Sequence, residues 1–302
     1  MARNSFPKVS IIFSNLNGGE EPLECLASIQ KLTYPKAKIE TIVIDNSSTD
    51  GSPENIEKKF PKVKLMKLKA AIGLPASLNL GIKNSTGRYI FICNDDVVLA
   101  KDSISKMLDY FKRNTNIGVL GGSVFYKNNP TLLIESAPKF NFYLGLIKKS
   151  KASLRPREAI WLQSCAIMVP KAVFDHIGLF DKGYYPLYFD DFDFCLRAKK
   201  AGYKIIHYPD AFFWHGEGKT TDKVHTLQKH YWWYKNRIRF LFKNATPLQI
   251  ISAIIYQFVI ISGKTIYTRR NYLWTFIKAL TENISNLPSI IKLRTIPTPK
   301  NV

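Results

Sequence analysis

What most constrains this chain is a rhythm in its first hundred residues. Short apolar runs alternate with helix-like stretches, and polar residues collect where each run stops. Val9–Phe13, Glu40–Ile44, Val63–Leu68 and Tyr89–Ile92 are rich in Val, Ile, Leu and Tyr and bounded by turn residues, as buried strands are. Between them, Glu21–Lys31, Pro53–Phe60 and Leu74–Lys83 read as helices. Ser52 is the expected N-cap of the second, with Pro53 at its first helical position. Such alternation predicts βαβ units and a mostly parallel α/β sheet, whose ligands sit at the carboxyl ends of the strands.

Polar residues do gather at those ends. Ser14, Asn15 and Asn17 follow the first run, Asp45 to Ser52 the second, and Cys93-Asn94-Asp95-Asp96 the fourth. Any one of these is also ordinary turn chemistry; three in order on successive strands are harder to dismiss. A second block follows, with a strand expected over Trp161–Pro170, a helix over Lys171–Ile177 closed by Gly178, and an aromatic run from Tyr184 to Phe189. Asp190-Asp191-Phe192-Asp193 then opens a helix ended by Gly202. Acids complement the dipole of a first helical turn, so these three can be read as caps. One cap needs one Asp, however, and three close carboxylates repel one another. A strand over Lys204–Tyr208 and the segment Pro209–Trp214 lead to His215.

With 302 residues, 46% hydrophobic and 22% charged, the chain is globular, which excludes a disordered tail, a collagen-like rod and a disulfide scaffold. Its four cysteines lack paired spacing and are expected as buried thiols. No apolar stretch follows a basic start, so no signal peptide is predicted and the expected compartment is cytoplasmic. The net charge of +21 calls for a polyanionic partner, and it is unevenly placed. From Lys223 onward there are thirteen Lys and Arg against one acid, Glu282.

In their order these motifs resemble those of the inverting glycosyltransferases of family 2, including its rhamnosyltransferase-like members, from about Val9 to Lys243. Val9-Ser10-Ile11-Ile12 with Asn17 is similar to the family's opening strand, and Val43 to Ser52 to its second-strand motif. Cys93-Asn94-Asp95-Asp96 stands in the place of the DXD motif, with Asn94 at the first acidic position. Gly178-Leu179-Phe180-Asp181, Asp190 to Arg197 and Ala201-Gly202-Tyr203 match the acceptor-side motif, and His215 falls where the family places a histidine after a strand. There are three departures. The neutral Asn94 weakens metal binding, and Ala71 precedes Ile72-Gly73 where relatives often have Asn. In Gln228-Lys229-His230-Tyr231-Trp232, similar to the QxxRW motif of processive members, Tyr231 replaces the arginine, which predicts single-sugar transfer.

The resemblance implies an α/β GT-A fold, a mostly parallel Rossmann-like sheet flanked by helices, with a C-terminal helical extension. Residues 1–243 would form the catalytic domain (1–100 nucleotide-binding, 101–243 acceptor-side) and 244–302 a basic apolar tail. It further implies transfer of one sugar from a nucleotide-diphosphate donor to a hydroxyl of a lipid-linked or cell-envelope glycan. A divalent cation, Mn²⁺ or Mg²⁺, would be held by Asp96 with Asn94 and His215; carboxylate oxygens suit a hard cation, and imidazole favours Mn²⁺. Family position makes Asp191 the general base, with Asp190 and Asp193 on the acceptor side. At a helix N-terminus Asp191 is expected to stay ionised. Asp45 takes the base-binding place, and Ser14, Asn17, Asn46 and Asp95 accompany it around the nucleotide. Lys219 and Lys223 would close over the diphosphate.

His230 to Lys243 interleaves aromatic and basic residues, which suits a lipid headgroup interface and also single-stranded nucleic acid. Asn244 to Gly263 then carries no charge across twenty residues, interrupted by Gln249, Ser252, Gln257 and Ser262. Lys243 flanks one end and Lys264, Arg269 and Arg270 the other, so charge gives no orientation. Further helices are expected over Tyr272–Leu280 and after Pro288. This quarter predicts helices lying in the membrane interface on the cytoplasmic face, with a soluble helical subdomain and a true span as alternatives. A nucleic-acid-binding protein would explain the charge but not the strand-end acids, so no nucleic-acid partner is expected. Transfer to a polyprenyl phosphate on the same fold is a further alternative.

Overall fold

The computed structural model describes residues 6–134, 137–148, 153–216 and 225–294. β1 (Val9–Asn15) runs parallel to β2 (Ile39–Asp45) on one side and to β4 (Tyr89–Cys93) on the other. It is apolar on both faces because both are covered. Ile12 packs with Leu78 and Ile82 of α3 (Leu74–Lys83), whereas Val9, Ile11 and Phe13 meet Leu23, Leu26 and Ile29 of α1 (Glu21–Gln30). At Gly81 α3 comes so close that a Cβ would lie 2.4 Å from Ile12 Cγ2.

Two expectations shift here. β3 (Lys64–Lys67) is an outer strand and half exposed rather than buried, since only β2 flanks it. α2 (Ser52–Lys59) begins one residue early: Gly51, at φ +80°, takes the N-cap place, and Ser52 Oγ donates to Asp50 Oδ1 at 2.6 Å. The chain builds outward through β2 and β3, and α3 then carries it back to β4 on the far flank of β1. That reversal opens a crevice at the carboxyl ends of β1 and β4.

The second half adds β5 (Val97–Leu99), α4 (Ser103–Arg113), β6 (Ile117–Tyr126), β7 (Asn129–Ile134), the hairpin β8 (Lys139–Asn141) and β9 (Leu146–Lys148), and β10 (Arg157–Glu158). β11 (Ala166–Pro170), α5 (Lys171–Ile177), α6 (Asp190–Lys200) and β12 (Lys204–His215) follow. Among the described residues, ten strands form one sheet, with β8 and β9 apart. Parallel pairing holds through β3, β2, β1 and β4 and again between β6 and β12; β11 enters antiparallel between β4 and β6. β11 starts at Ala166, not Trp161, because Trp161 and Gln163 to Cys165 leave the sheet to line the crevice. The two segments expected around Pro209 are one strand, with a register break between His207 and Phe212 that accommodates the proline. β6 had no counterpart in the sequence reading, since its glycines dilute the apolar pattern. At Gly122 a Cβ would meet the Ala211 carbonyl oxygen at 2.4 Å.

Four helices close the described chain: α7 (Thr226–Asn244), α8 (Pro247–Thr268), α9 (Tyr272–Ser285) and α10 (Leu287–Lys292). α7 is no lipid-facing belt. Tyr234, Phe240 and Phe242 are buried, and the Phe240 ring stacks on Phe192 with centroids 4.2 Å apart. Its cations are partly internal: Arg239 and Lys243 pair with Asp181, and Lys243 also with Asp193. α8 is started by a capping box between Thr246 and Gln249. Its polarity is inverted. Two of the four polar residues that interrupt its sequence face the protein, Ser252 Oγ donating to Tyr143 O at 2.9 Å and Gln257 Nε2 to Leu144 O at 2.7 Å, while Gln249 caps the helix and Ser262 Oγ donates to Phe258 O within it. Leu248, Ile251, Ile255, Val259 and Ile260 are exposed. At 22 residues and a mean hydropathy of 1.5, α8 is long and apolar enough to cross a bilayer by length and composition.

Candidate active site

A cavity of about 870 Å³ opens at the strand ends. Ser14, Asn46 and Asn94 to Asp96 line it from the first half, and Asp190, Asp191 and His215 from the second. β5 and β12 bring His215 to the acidic motif: in their antiparallel register His215 lies opposite Val97, next to Asp96. His215 Nε2 sits 3.1 Å from Asp96 Oδ1 and 3.0 Å from Asn94 Nδ2. Among the described residues, Asp96 Oδ1 and His215 Nδ1 are buried and have no assigned hydrogen bond. A carboxylate oxygen facing an imidazole nitrogen at that distance needs a proton or a cation between them. With the amide oxygen of Asn94, whose side chain can turn, the three groups offer an O/N donor set that fits a divalent cation. Among the described residues, no cluster of three His, Cys, Asp or Glu is arranged for a metal, so the neutral Asn94 is integral to this set.

Asp95 points the other way, toward Gly18, where a Cβ would stand 2.7 Å from Asp95 Oδ2 and 2.6 Å from Asn15 Oδ1. Burial, with the neighbouring Asp96 carboxylate, pushes its carboxyl up to about 7. Of the expected nucleotide residues, Ser14, Asn46 and Asp95 line the cavity. Asn46 Oδ1 accepts from Ile72 N at 2.8 Å and so positions the Ala71 to Gly73 rim. Asp45 and Asn17 instead stand behind the wall. Asp45 accepts from Asn15 Nδ2 (2.9 Å) and Ser48 N (3.1 Å), while Asn17 Oδ1 accepts from Thr49 N at 2.8 Å. Asn15 is the hub that sequence reading left out of the site. Its buried amide also donates to Ser52 Oγ at 2.9 Å, tying the β1 end to the β2 end.

On the other wall the backbone is strained just before α6, with Tyr188 at φ +80° and Phe189 at φ +69°. This turn delivers Asp190 and Asp191 into the cavity. Asp191 accepts from Ser164 N (3.1 Å) and Phe192 N (2.8 Å). Burial nevertheless outweighs those bonds and raises its carboxyl above the usual aspartate range. Asp190 is raised well above it, by burial and then by Asp191, and its Oδ2 is buried without a partner among the described residues. Asp193 departs from its expected place: one turn on, it faces the core. Burial pushes it up, but Lys243 and Arg197 prevail and hold it below the ordinary range.

The aromatic run expected before α6 supplies only part of an aromatic wall, and the sequence reading missed its three tryptophans. Trp161, Tyr185, Tyr188, Trp232 and Trp233 line the cavity, the last two from the stretch expected at a lipid interface. Asn236 Nδ2 donates to the carbonyls of Tyr184 (2.9 Å) and Leu187 (2.7 Å), and Leu74 N donates to Pro186 O at 2.7 Å. The 184–189 segment is thereby clamped between α7 and α3. Lys219 and Lys223 lie outside the described residues.

The sequence profile described as Glycosyl transferase family 2 matches residues 10–178, more than half of the chain. An N-acetylglucosaminyl-diphospho-decaprenol L-rhamnosyltransferase of Mycobacterium tuberculosis is 23% identical over 266 residues, covering 74% of this chain and 85% of the relative. A poly(ribitol-phosphate) beta-glucosyltransferase of Bacillus spizizenii is 31% identical over 163 residues, 49% of this chain and 25% of that protein. Among solved structures, Staphylococcus aureus TarS 1–349 in complex with UDP-GlcNAc superposes with a TM-score of 0.62 at 17% identity, over 95% of this chain and 83% of that one. The mannosyltransferase PcManGT of Pyrobaculum calidifontis, in complex with GDP-Man and Mn²⁺, gives 0.57 at 14% identity, over 96% and 79%. These likenesses identify the architecture as GT-A with added C-terminal helices. The chain belongs to glycosyl transferase family 2 and is a glycosyltransferase.

Proposed function

We propose that this enzyme moves one sugar, with inversion, from a nucleotide-diphosphate donor to a hydroxyl of a lipid-linked or cell-envelope glycan. One observation carries the reading: the Asn94, Asp96 and His215 cluster and the Asp190–Asp191 pair line a single cavity. Asp191 takes the proton of the acceptor hydroxyl as its oxygen bonds to the anomeric carbon. The bond from that carbon to the diphosphate oxygen breaks, and the nucleoside diphosphate leaves with the electron pair. The raised carboxyl of Asp191 makes it a stronger proton acceptor than an exposed aspartate. Asp96, Asn94 and His215 would hold a divalent cation, which supplies charge neutralisation to the departing diphosphate. Asp190, favoured in its neutral form, donates a hydrogen bond to a sugar oxygen. Ser14, Asn46 and Asp95 serve the nucleotide directly, with Asp45 and Asn17 bracing them. Asp193 serves the acceptor side as a brace for α6.

The acceptor class is supported by relatives whose names specify a decaprenyl-diphosphate-linked sugar and poly(ribitol-phosphate). Transfer of one sugar is supported by Tyr231, which donates to Glu282 on α9 where processive members have arginine. The outward apolar face of α8 supports attachment to the cytoplasmic membrane surface. Full-length protein that stays in the supernatant at low salt without detergent would reject that attachment.

Nucleotide release should be followed with UDP-, GDP- and dTDP-sugars in the presence of Mn²⁺. Asp191→Asn is expected to keep donor binding while transfer falls by roughly 10²–10⁴-fold. Wild-type turnover in that variant rejects the base. It would favour transfer to a polyprenyl phosphate, whose anionic oxygen needs no base.

A further inference from the structure

The base proposed above is held by more than the backbone. Ser164 N donates to Asp191 Oδ2 at 3.1 Å and Phe192 N to Oδ1 at 2.8 Å, so each oxygen has one amide donor. A third donor is a side chain. Trp161 stands three residues before Ser164, lines the same cavity and is 6% exposed. Its indole Nε1 is buried and completes no hydrogen bond among the described residues. It nevertheless acts on Asp191: burial raises that carboxyl, while the Ser164 and Phe192 amides and then the Trp161 indole lower it. The contact is incomplete rather than absent.

The ring is fixed from behind. Trp161 stacks on Phe192, the residue after Asp191, with centroids 4.8 Å apart and planes at 19°, and Phe192 stacks in turn on Phe240 of α7 at 4.2 Å. A buried N–H that completes no bond is unfavourable, and most such groups find an acceptor. Catalytic hydrogen bonds are often long before substrate binds and tighten in the reacting complex. Asp190 and Cys195, on α6 itself, feel the charge of Asp191. Asp95, Asp96, Cys165 and His215 line the same cavity. The acids among these repel an ionised Asp191, whereas an indole N–H remains a donor at every pH.

We propose that Trp161 is the positioning residue of the base, its indole N–H closing on the Asp191 carboxylate and holding it in the rotamer that meets the acceptor hydroxyl. The inference deepens the reading above and rests on it for the effect on turnover; the contact itself does not depend on that reading. Because the indole is locked in the stack with Phe192 and Phe240, the α6–α7 core sets the donor in place before substrate arrives. The same donor favours the ionised carboxylate against burial, so the base stays available at lower pH than burial alone would allow.

The test follows the side-chain carboxyl carbons of the full chain, isotopically labelled at aspartate, by NMR through a pH titration without metal. The Asp191 signal is the one missing in Asp191→Asn. Trp161→Phe keeps a ring to stack on Phe192 and removes the N–H, so the Asp191 midpoint should move to higher pH. Trp161→Tyr has no donor at the place of the indole nitrogen; it should move the midpoint the same way and keeps the test valid if Trp161→Phe misfolds. Val173→Ala, a core change on α5, should leave the midpoint where it is. A midpoint that stays or falls in Trp161→Phe, or that rises equally in Val173→Ala, overturns the inference. Hydrolysis of the UDP-, GDP- or dTDP-sugar that wild type turns over with Mn²⁺ is read in parallel. On the acid limb of its pH profile Trp161→Phe should lose about tenfold, the contribution of one hydrogen bond to a charged group, and less on the plateau. A midpoint that rises in Trp161→Phe while Asp191→Asn hydrolyses donor like wild type leaves the Trp161 contact standing and rejects the base.

Discussion

Asn94 and His215, 121 positions apart in the chain, meet with Nδ2 and Nε2 3.0 Å apart, and Asp96 Oδ1 lies 3.1 Å from the same imidazole nitrogen. The antiparallel pairing of β5 with the end of β12 creates this contact. Asp96→Ala is expected to abolish stimulation of donor hydrolysis by Mn²⁺ together with most of the activity, a loss of about 10²-fold or more. A Mn²⁺ titration of hydrolysis checks it; full Mn²⁺ stimulation in the variant would remove Asp96 from the metal role.

Lys243 is the counter-charge for the buried Asp193 and the half-buried Asp181. Removing it in Lys243→Met leaves Asp193, 0% exposed, with Arg197 as its remaining cation and should cost about 3–5 kcal/mol in urea unfolding. The same network gives a pH dependence. Asp181 and Asp193 are both held below the ordinary aspartate range, so their stabilisation is full above that range and fades as pH falls through the lower folded values. Acid unfolding of wild type should be steeper than that of the variant; equal slopes would contradict this origin.

Asn236 holds the aromatic rim through the carbonyls of Tyr184 and Leu187. Asn236→Leu leaves those oxygens without their donor and should lower stability by about 1–3 kcal/mol. Its more specific effect is kinetic: the acceptor KM should rise more than the donor KM, because the 184–189 rim belongs to the wall proposed to take the acceptor. Equal shifts in both constants would show a merely global effect.

Gly81→Ala sets two effects against each other. Helix propensity favours alanine by about 1 kcal/mol, whereas a Cβ would stand 2.4 Å from Ile12 Cγ2 in the central strand. Overpacking of that kind costs about 1–3 kcal/mol. A β-branched side chain in a fully paired strand has little room to move, so the net change should be destabilising. A rise in thermal midpoint would overturn this.

Ile255→Glu alters an exposed position on α8, 60% accessible. The thermal midpoint should stay within about a degree, since a surface change away from special features moves stability by about 0.5 kcal/mol or less. Binding to phosphatidylglycerol-containing vesicles should weaken by about tenfold or more, from the lost apolar burial. Undiminished flotation would take the membrane role from this face.

By itself the sequence determined the parallel half of the sheet and the polar strand ends. Those signals are local: β1, β2 and β4 lie inside the sheet and read as short, densely apolar runs, and turns must follow them. It also carried, through its ordered motifs, the residues that reach the cavity: Ser14, Asn46, Asn94 to Asp96, Asp190, Asp191 and His215. What it left undetermined depends on partners distant in the chain. Whether Asp193 lines a site or braces a helix is decided by Lys243, fifty positions away. The rise of the Asp191 carboxyl comes from burial, which only the assembled core supplies and which outweighs the hydrogen bonds it accepts. Trp232 and Trp233 face the cavity, and Ser252 and Gln257 of α8 face inward, because α7 docks on the Phe140, Phe189 and Phe192 cluster and the β8–β9 hairpin then receives those two side chains. Composition records which groups a helix carries; only its docking chooses the face that meets water, lipid or core.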